Sequence, residues 1–173
     1  MTDSTPRAAD RAKDAAEQRP VGRWPDKRFH PSRTQRVANS VVTVLAEWGA
    51  VPHTYVMTTR GRKTGLLHSL PVTLVETDGR KWLVAPYGPV AWVMNTRAAG
   101  RVSLRRRGRV GMYAAREVPL SEAGPVLKQY LQIAGATRPY FRSTKDSPLA
   151  DFIAEANAHP VFALTLVAGP GVG

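Results

Sequence analysis

The chain contains no cysteine, which excludes disulfides, thiolate nucleophiles, iron–sulfur clusters and cysteine-ligated zinc. Histidine is scarce. The four residues His30, His53, His68 and His159 are scattered without an i, i+4 pair, which argues against a metal centre. Acidic side chains number 13 against 25 lysines and arginines, and they stand apart, which disfavours the paired carboxylates of a glycosidase. No Gly-x-Ser-x-Gly elbow occurs, so a hydrolase of that kind is not expected. Long apolar runs are missing as well: the best, around 38–46, is interrupted by polar residues and falls far short of the ~20 residues that span a bilayer. Residues 1–19 are charged and Ala-rich with no apolar stretch, so a signal peptide is not expected and a cytoplasmic location is.

What remains is a basic chain of ordinary hydrophobicity. It has 173 residues, 43% of them hydrophobic, enough for one domain with a normal core and a tail. The net charge of +12 calls for an acidic partner: nucleic acid, a membrane surface or a polyanionic small molecule. Seven arginines and no acid lie between Arg97 and Arg116, so the charge belongs to the folded part. Residues 1–30 hold little that could pack and are expected to form a disordered or weakly ordered tail, leaving 31–173 as the domain.

Periodicity orders that domain. Ser32 with Gln35 reads as a capping box, followed by Val37, Val41, Val44, Leu45 and Trp48 at helical spacing and Gly49 as a stop. From 54 to 59 the residues are β-branched and aromatic, as in a strand. A second strand is expected over 68–77, with Pro71 marking an edge or bulge, and Asp78-Gly79 turns it into a third over 81–85. A short helix follows, with Pro89 suited to its first turn and Gly100 to its end. Two strands, 101–106 and 109–118, meet near Gly108. A capped helix is expected from Ser121 to Gly135, burying Val126, Leu127, Tyr130 and Leu131. Another starts at Ser147-Pro148 with Leu149, Phe152, Ile153 and Ala156 on one face, and 161–167 forms the last strand. The pattern is mainly β with α+β character: about six mostly antiparallel strands in a small barrel with flanking helices, not a doubly wound sheet.

The stretch TTRGRKTG, Thr58 to Gly65, sets three cations and two glycines between two strands. Turning the chain alone would need only Asn-Gly or Asp-Gly, so an anion is expected there. A phosphate-binding P-loop is not the answer, because the glycines that loop requires are replaced by Arg62 and Met57. Arginine can grip phosphate through paired hydrogen bonds, lysine adds a compact charge, and Gly61 and Gly65 let backbone amides approach. With conventional acid–base machinery so thin, a cofactor is expected to carry the chemistry.

The residues Thr58, Thr59, Gly61 to Gly65, Pro71, Asp78-Gly79, Val84-Ala85, Trp92, Asn95 and Arg97-Ala98 occur in the order that marks the deazaflavin-dependent nitroreductase family of mycobacteria and related actinobacteria. The chain resembles that family over nearly all of residues 33–167, and His159-Pro160-Val161-Phe162 is similar to the ending of one branch. The resemblance implies a split β-barrel oxidoreductase that binds coenzyme F-420, an 8-hydroxy-5-deazaflavin. Its reduced form would pass hydride to an activated double bond, quinone or nitro group. By the same resemblance Arg62, Lys63 and Thr64 would hold the cofactor phosphate. His68 stands where the family has a second phosphate-binding arginine, as a weaker donor. Ser69, Leu70 and Pro71 would lie along the ring or its linker, and Val84, Ala85, Pro86, Tyr87, Ala91, Trp92 and Asn95 would line the deazaflavin end. Tyr87, Tyr113 and Tyr140 are candidate proton donors or substrate shelves.

Alternatives stay open at this point. An FMN-dependent split-barrel oxidoreductase would share the fold, and a non-catalytic cofactor carrier would bind without turnover. A basic nucleic-acid module would need aromatics among its arginines, and 97–116 offers only Tyr113, so no nucleic-acid partner is expected. A small-molecule hydride acceptor is. Peripheral membrane contact is left open, as is the choice between monomer and homodimer.

Overall fold

The computed structural model describes residues 52–167. The helix expected to start at Ser32 and the tail expected over 1–30 lie outside them. Six strands, β1 (Thr54–Arg60), β2 (Leu67–Thr77), β3 (Arg80–Val84), β4 (Arg101–Arg106), β5 (Arg109–Glu117) and β6 (Val161–Leu166), close into a barrel. Their order is β1-β2-β3-β6-β5-β4, and the pairings are antiparallel.

Two tight hairpins explain why the register is so regular. Asp78 and Gly79 take φ of 50° and 70°, and Arg107 and Gly108 take the same two values. Both central residues of a type I′ turn need positive φ, and that turn matches strand twist. Asp-Gly announces the first. The second is less legible, because arginine is an unusual occupant of a left-handed position.

The barrel is split at one end. β2 pairs with β1 over 67–73 but with β3 only over 74–77. Pro71 sits in the half that has a neighbour on one side alone, where its missing N–H costs no ladder bond. The edge expected there is present. At the opposite end the barrel is plugged by polar side chains. The Tyr55 hydroxyl donates to Glu76 Oε1 at 2.8 Å, Lys81 Nζ donates to the Tyr55 oxygen at 3.2 Å, and the Arg106 guanidinium lies 5.2 Å from the centre of the Tyr55 ring. Among the described residues, that end of the barrel interior is thus filled, whereas the split end is open.

β3 and β6 are apolar on both faces because each face is covered. Leu83 and Phe162 point into the barrel with Met57, Leu74, Val102 and Leu104. Trp82, Val84 and Val161 point outward to Val126, Leu127, Leu131 and Phe152. The latter residues belong to α2 (Leu120–Ile133) and α3 (Leu149–Glu155). A Cβ on Gly124 would collide with Ile153 Cγ1, so glycine sets the close approach of these two helices. α1 (Ala91–Ala99) lays Trp92 and Val93 on the interior cluster and ends at Gly100, φ 63°.

Several expectations need correction. Ser121 does not cap α2, which starts one residue earlier behind Pro119 without a side-chain cap. Pro89 precedes α1 and its flanking Val90, so it lies outside the first turn. Leu149 is 41% exposed; of the apolar residues of α3 only Phe152 is buried. A 3-10 turn over Gly135–Tyr140 had no periodic signal to reveal it.

Candidate cofactor and acceptor site

The basic elbow between β1 and β2 is a folded loop. Gly61 N–H donates to Leu66 O and Gly65 N–H to Gly61 O, both at 2.8 Å, and Arg60 Nε donates to Gly65 O at 3.0 Å. Gly65 has φ of 69°. Gly61 is required for space: a Cβ there would lie 2.8 Å from Thr64 Oγ1, 3.1 Å from His68 Nε2 and 3.3 Å from Leu66 O. The Thr64 hydroxyl and the His68 imidazole therefore converge on one spot. Arg62, Lys63 and Thr64 are exposed.

Asn95, buried on α1, reaches across to this loop. Its Oδ1 accepts from the Arg62 backbone N–H at 3.2 Å and from Arg62 Nη1 at 3.3 Å. Arg62 is thus tied into the scaffold, and its backbone amide already has a partner. Lys63 and Thr64, by contrast, carry the outward-facing donors of the loop.

Below the elbow a cavity of about 470 Å³ opens where β2 parts from β3. One wall is β2 from His68 to Thr73, including Ser69, Leu70 and Pro71; the other is formed by Val84, Pro86 and Tyr87. Ala91, Trp92 and Asn95 of α1 close the end beside the elbow. Ala85 is fully buried behind the wall. Ser69 Oγ is shared with Thr58 Oγ1 at 2.8 Å.

The three tyrosines separate. Tyr87 lines the cavity, and Tyr140 meets it edge-on, ring centroids 4.6 Å apart and planes at 89°. Tyr113 lies on β5 in register with Val102 and Leu166 and does not reach the cavity. Lining residues that sequence reasoning missed are Thr59, Val72, Thr73, Val90, Tyr130 and Thr137. Strand alternation from Tyr55 and Met57 could have pointed to Thr59. Tyr130 was legible only as core, and Thr137 sits in the unheralded 3-10 turn.

Electrostatics keep the wall's hydroxyls protonated. Burial raises Tyr130 to about 12, against the opposing Thr137 hydroxyl. Burial, with Tyr140 nearby, also raises Tyr87. Both phenols thus stay neutral at neutral pH and can donate a hydrogen bond. The Thr59 hydroxyl is buried and has no partner among the described residues. The arginines of 97–116 are partly engaged within the fold: Arg97 forms a two-pronged pair with Glu117, both bonds 2.6 Å, and Arg116 meets Glu122 at 3.3 Å.

The sequence profile of the F420H(2)-dependent quinone reductase family matches residues 27–149, more than half of the chain. The chain belongs to this family. It is accordingly an oxidoreductase that depends on reduced coenzyme F-420. Among solved structures, a protein described as a domain-swapped dimer is 23% identical, with TM-score 0.50 and coverage of 78% of this chain and 100% of that one. A protein of unknown function from Agrobacterium tumefaciens is 14% identical, with TM-score 0.50 and coverage of 80% and 59%. An F420-H2 dependent reductase, FDR-A, is 24% identical, with TM-score 0.48 and coverage of 66% and 95%. The first two share the barrel fold. No curated protein matches.

Proposed function

We propose that this F-420-dependent reductase passes hydride to a small, planar, largely apolar quinone seated in the split-end cavity. The observation that carries this reading is the junction of an apolar cavity with an elbow of three cations. Such a junction suits a ligand with a flat ring at one end and a phosphate at the other. The residues fit that coenzyme on two further counts. Thr59 offers a buried hydroxyl at the wall with no partner among the described residues, and the Gly61 cradle brings Thr64 and His68 onto one point.

In this reading Lys63, Thr64 and His68 bind the phosphate, and Arg62, fixed by Asn95, adds its charge from the side. Leu70, Pro71, Val84, Pro86, Ala91 and Trp92 enclose the ring and exclude water, which strengthens the few polar contacts left inside. When bound, the reduced deazaflavin supplies the hydride. Orientation then does most of the catalytic work: reacting atoms held ~3–3.5 Å apart gain rate without any nucleophile from the protein. Reduction leaves charge on the quinone oxygen, and Tyr87 or Tyr130, both kept protonated by burial, can hold or deliver the proton. A quinone is favoured over a nitro compound because, among the described residues, no lysine or arginine lines the cavity to hold a nitro group.

The test is a titration with oxidised F-420 and FMN side by side, read by quenching of tryptophan fluorescence, followed by quinone turnover with reduced F-420. Tight binding of FMN with none of F-420 would overturn the cofactor assignment. Binding without turnover of any quinone would overturn the acceptor.

A further inference from the structure

Behind the cavity wall lies a buried pair that the hydride chemistry does not use. His159 is 3% exposed and Glu155, one helical turn earlier, 7%. His159 Nε2 stands 3.6 Å from Glu155 Oε1. Glu155 Oε2 accepts from the Ser143 backbone N–H and hydroxyl, both at 2.9 Å. The imidazole stacks on the Phe141 ring, centroids 4.0 Å apart and planes 21° from parallel. The wall segment is pinned nearby as well: Ala85 N–H donates to Pro160 O at 2.9 Å, and a Cβ on Gly88 would lie 3.3 Å from Ala158 O.

The neighbours of His159 explain the arrangement. Pro86 immediately precedes Tyr87, and Phe141 immediately follows Tyr140. His159 thus stacks on the residue next to Tyr140, while its chain neighbours Pro160 and Ala158 meet Ala85 and Gly88 on either side of Tyr87. Those two segments come from distant parts of the chain and share no strand or helix. A buried carboxylate–imidazole pair is a poor way to gain stability, since apolar residues of similar volume do as well or better. Its value here is directional: hydrogen bonds and a ring stack set angles that apolar packing would leave loose.

We propose that His159, held by Glu155, is a positioning residue that fixes the Tyr87–Tyr140 ring pair at the cavity wall and so sets how tightly a planar acceptor binds. Only the last clause rests on the quinone reading. The ring placement is independent of it.

Fluorine NMR of the ligand-free protein carrying fluorotyrosine separates the two. Five tyrosines give five resonances, assigned by single Tyr→Phe variants. His159→Phe keeps a ring on Phe141 and removes the N–H. It is expected to shift the Tyr87 and Tyr140 resonances and leave Tyr55 and Tyr113 in place. His159→Asn and His159→Gln return an N–H near one or other ring-nitrogen position, and at least one should restore both resonances. Should His159→Phe fail to fold, the isosteric Glu155→Gln is expected to displace the same two resonances. Menadione affinity, read by tryptophan quenching, should weaken about tenfold in His159→Phe. Unmoved Tyr87 and Tyr140 resonances, or a shift that neither amide variant reverses, would overturn the proposal. Failure of menadione to bind the unaltered protein would instead count against the quinone reading.

Discussion

Asn95→Ala tests how the cationic elbow is held. The substitution deletes one carbonyl oxygen that accepts from two Arg62 groups, at 3.2 and 3.3 Å. A neutral hydrogen bond contributes roughly 0.5–1.5 kcal/mol and one to a charged group roughly 1.5–3 kcal/mol. Both bonds here are long and Arg62 is exposed, so water recovers part of the loss and the low end applies. About 2 kcal/mol is expected, which lowers Tm by about 4–8 °C at roughly 2–4 °C per kcal/mol for a chain of this size. Coenzyme affinity should fall about tenfold, because Lys63 and Thr64 would have to be ordered on binding. Thermal denaturation and F-420 titration read the two effects separately. A double-mutant cycle with Arg62→Ala isolates the guanidinium bond, since the backbone bond survives in that variant, and a coupling of ~0.5–1 kcal/mol is expected. Unchanged Tm together with unchanged affinity in Asn95→Ala would refute the tether.

Lys63→Ala should weaken coenzyme binding by roughly 1–3 kcal/mol through loss of one charged contact, with Tm of the free protein unchanged; equal affinities would remove Lys63 from the site. Gly61→Ala forces a Cβ to 2.8 Å from Thr64 Oγ1 and should cost about 1–3 kcal/mol of stability, checked by urea denaturation. A silent substitution would show that the cradle yields. Burial lowers the His159 pKa below its ordinary value of 6.5, with the Glu155 charge and the Pro86 and Ala85 carbonyls opposing. The unfolded chain therefore binds the extra proton first. Stability is full above pH 6.5 and is lost as pH falls from there through the folded pKa. Denaturation midpoints at pH 7.5 and 5.5 should diverge in the unaltered protein and converge in His159→Gln.

Much of the fold could be read from local signals. Asp78-Gly79 names its own turn, the alternation of Leu70, Val72 and Leu74 places β2, and Pro71 marks an edge that the structure contains. The start of α2 was less legible, because Ser121 has the side chain of a cap while Pro119 has the backbone of one. Leu149 reads as core by spacing yet meets solvent, since α3 is too short to bury a full apolar stripe. The site divides in the same way. The elbow stands out as eight adjacent residues. The rest of the lining comes from Thr59, Val90, Tyr130 and Thr137, which lie in four separate stretches of the chain and share no motif.

The chain alone determined that an anion-binding, cofactor-dependent chemistry was to be expected. Composition removed thiol, metal and paired-carboxylate catalysis, and a run of glycines and cations advertised a phosphate. Only the tertiary structure decided which oxygen steadies Arg62 and which histidine stands behind the tyrosines. Asn95 and His159 make side-chain contacts that span 33 residues in one case and reach from the segment before β6 to Phe141 in the other. Residue type and spacing carry local conformation, whereas such pairings exist only once the barrel has closed.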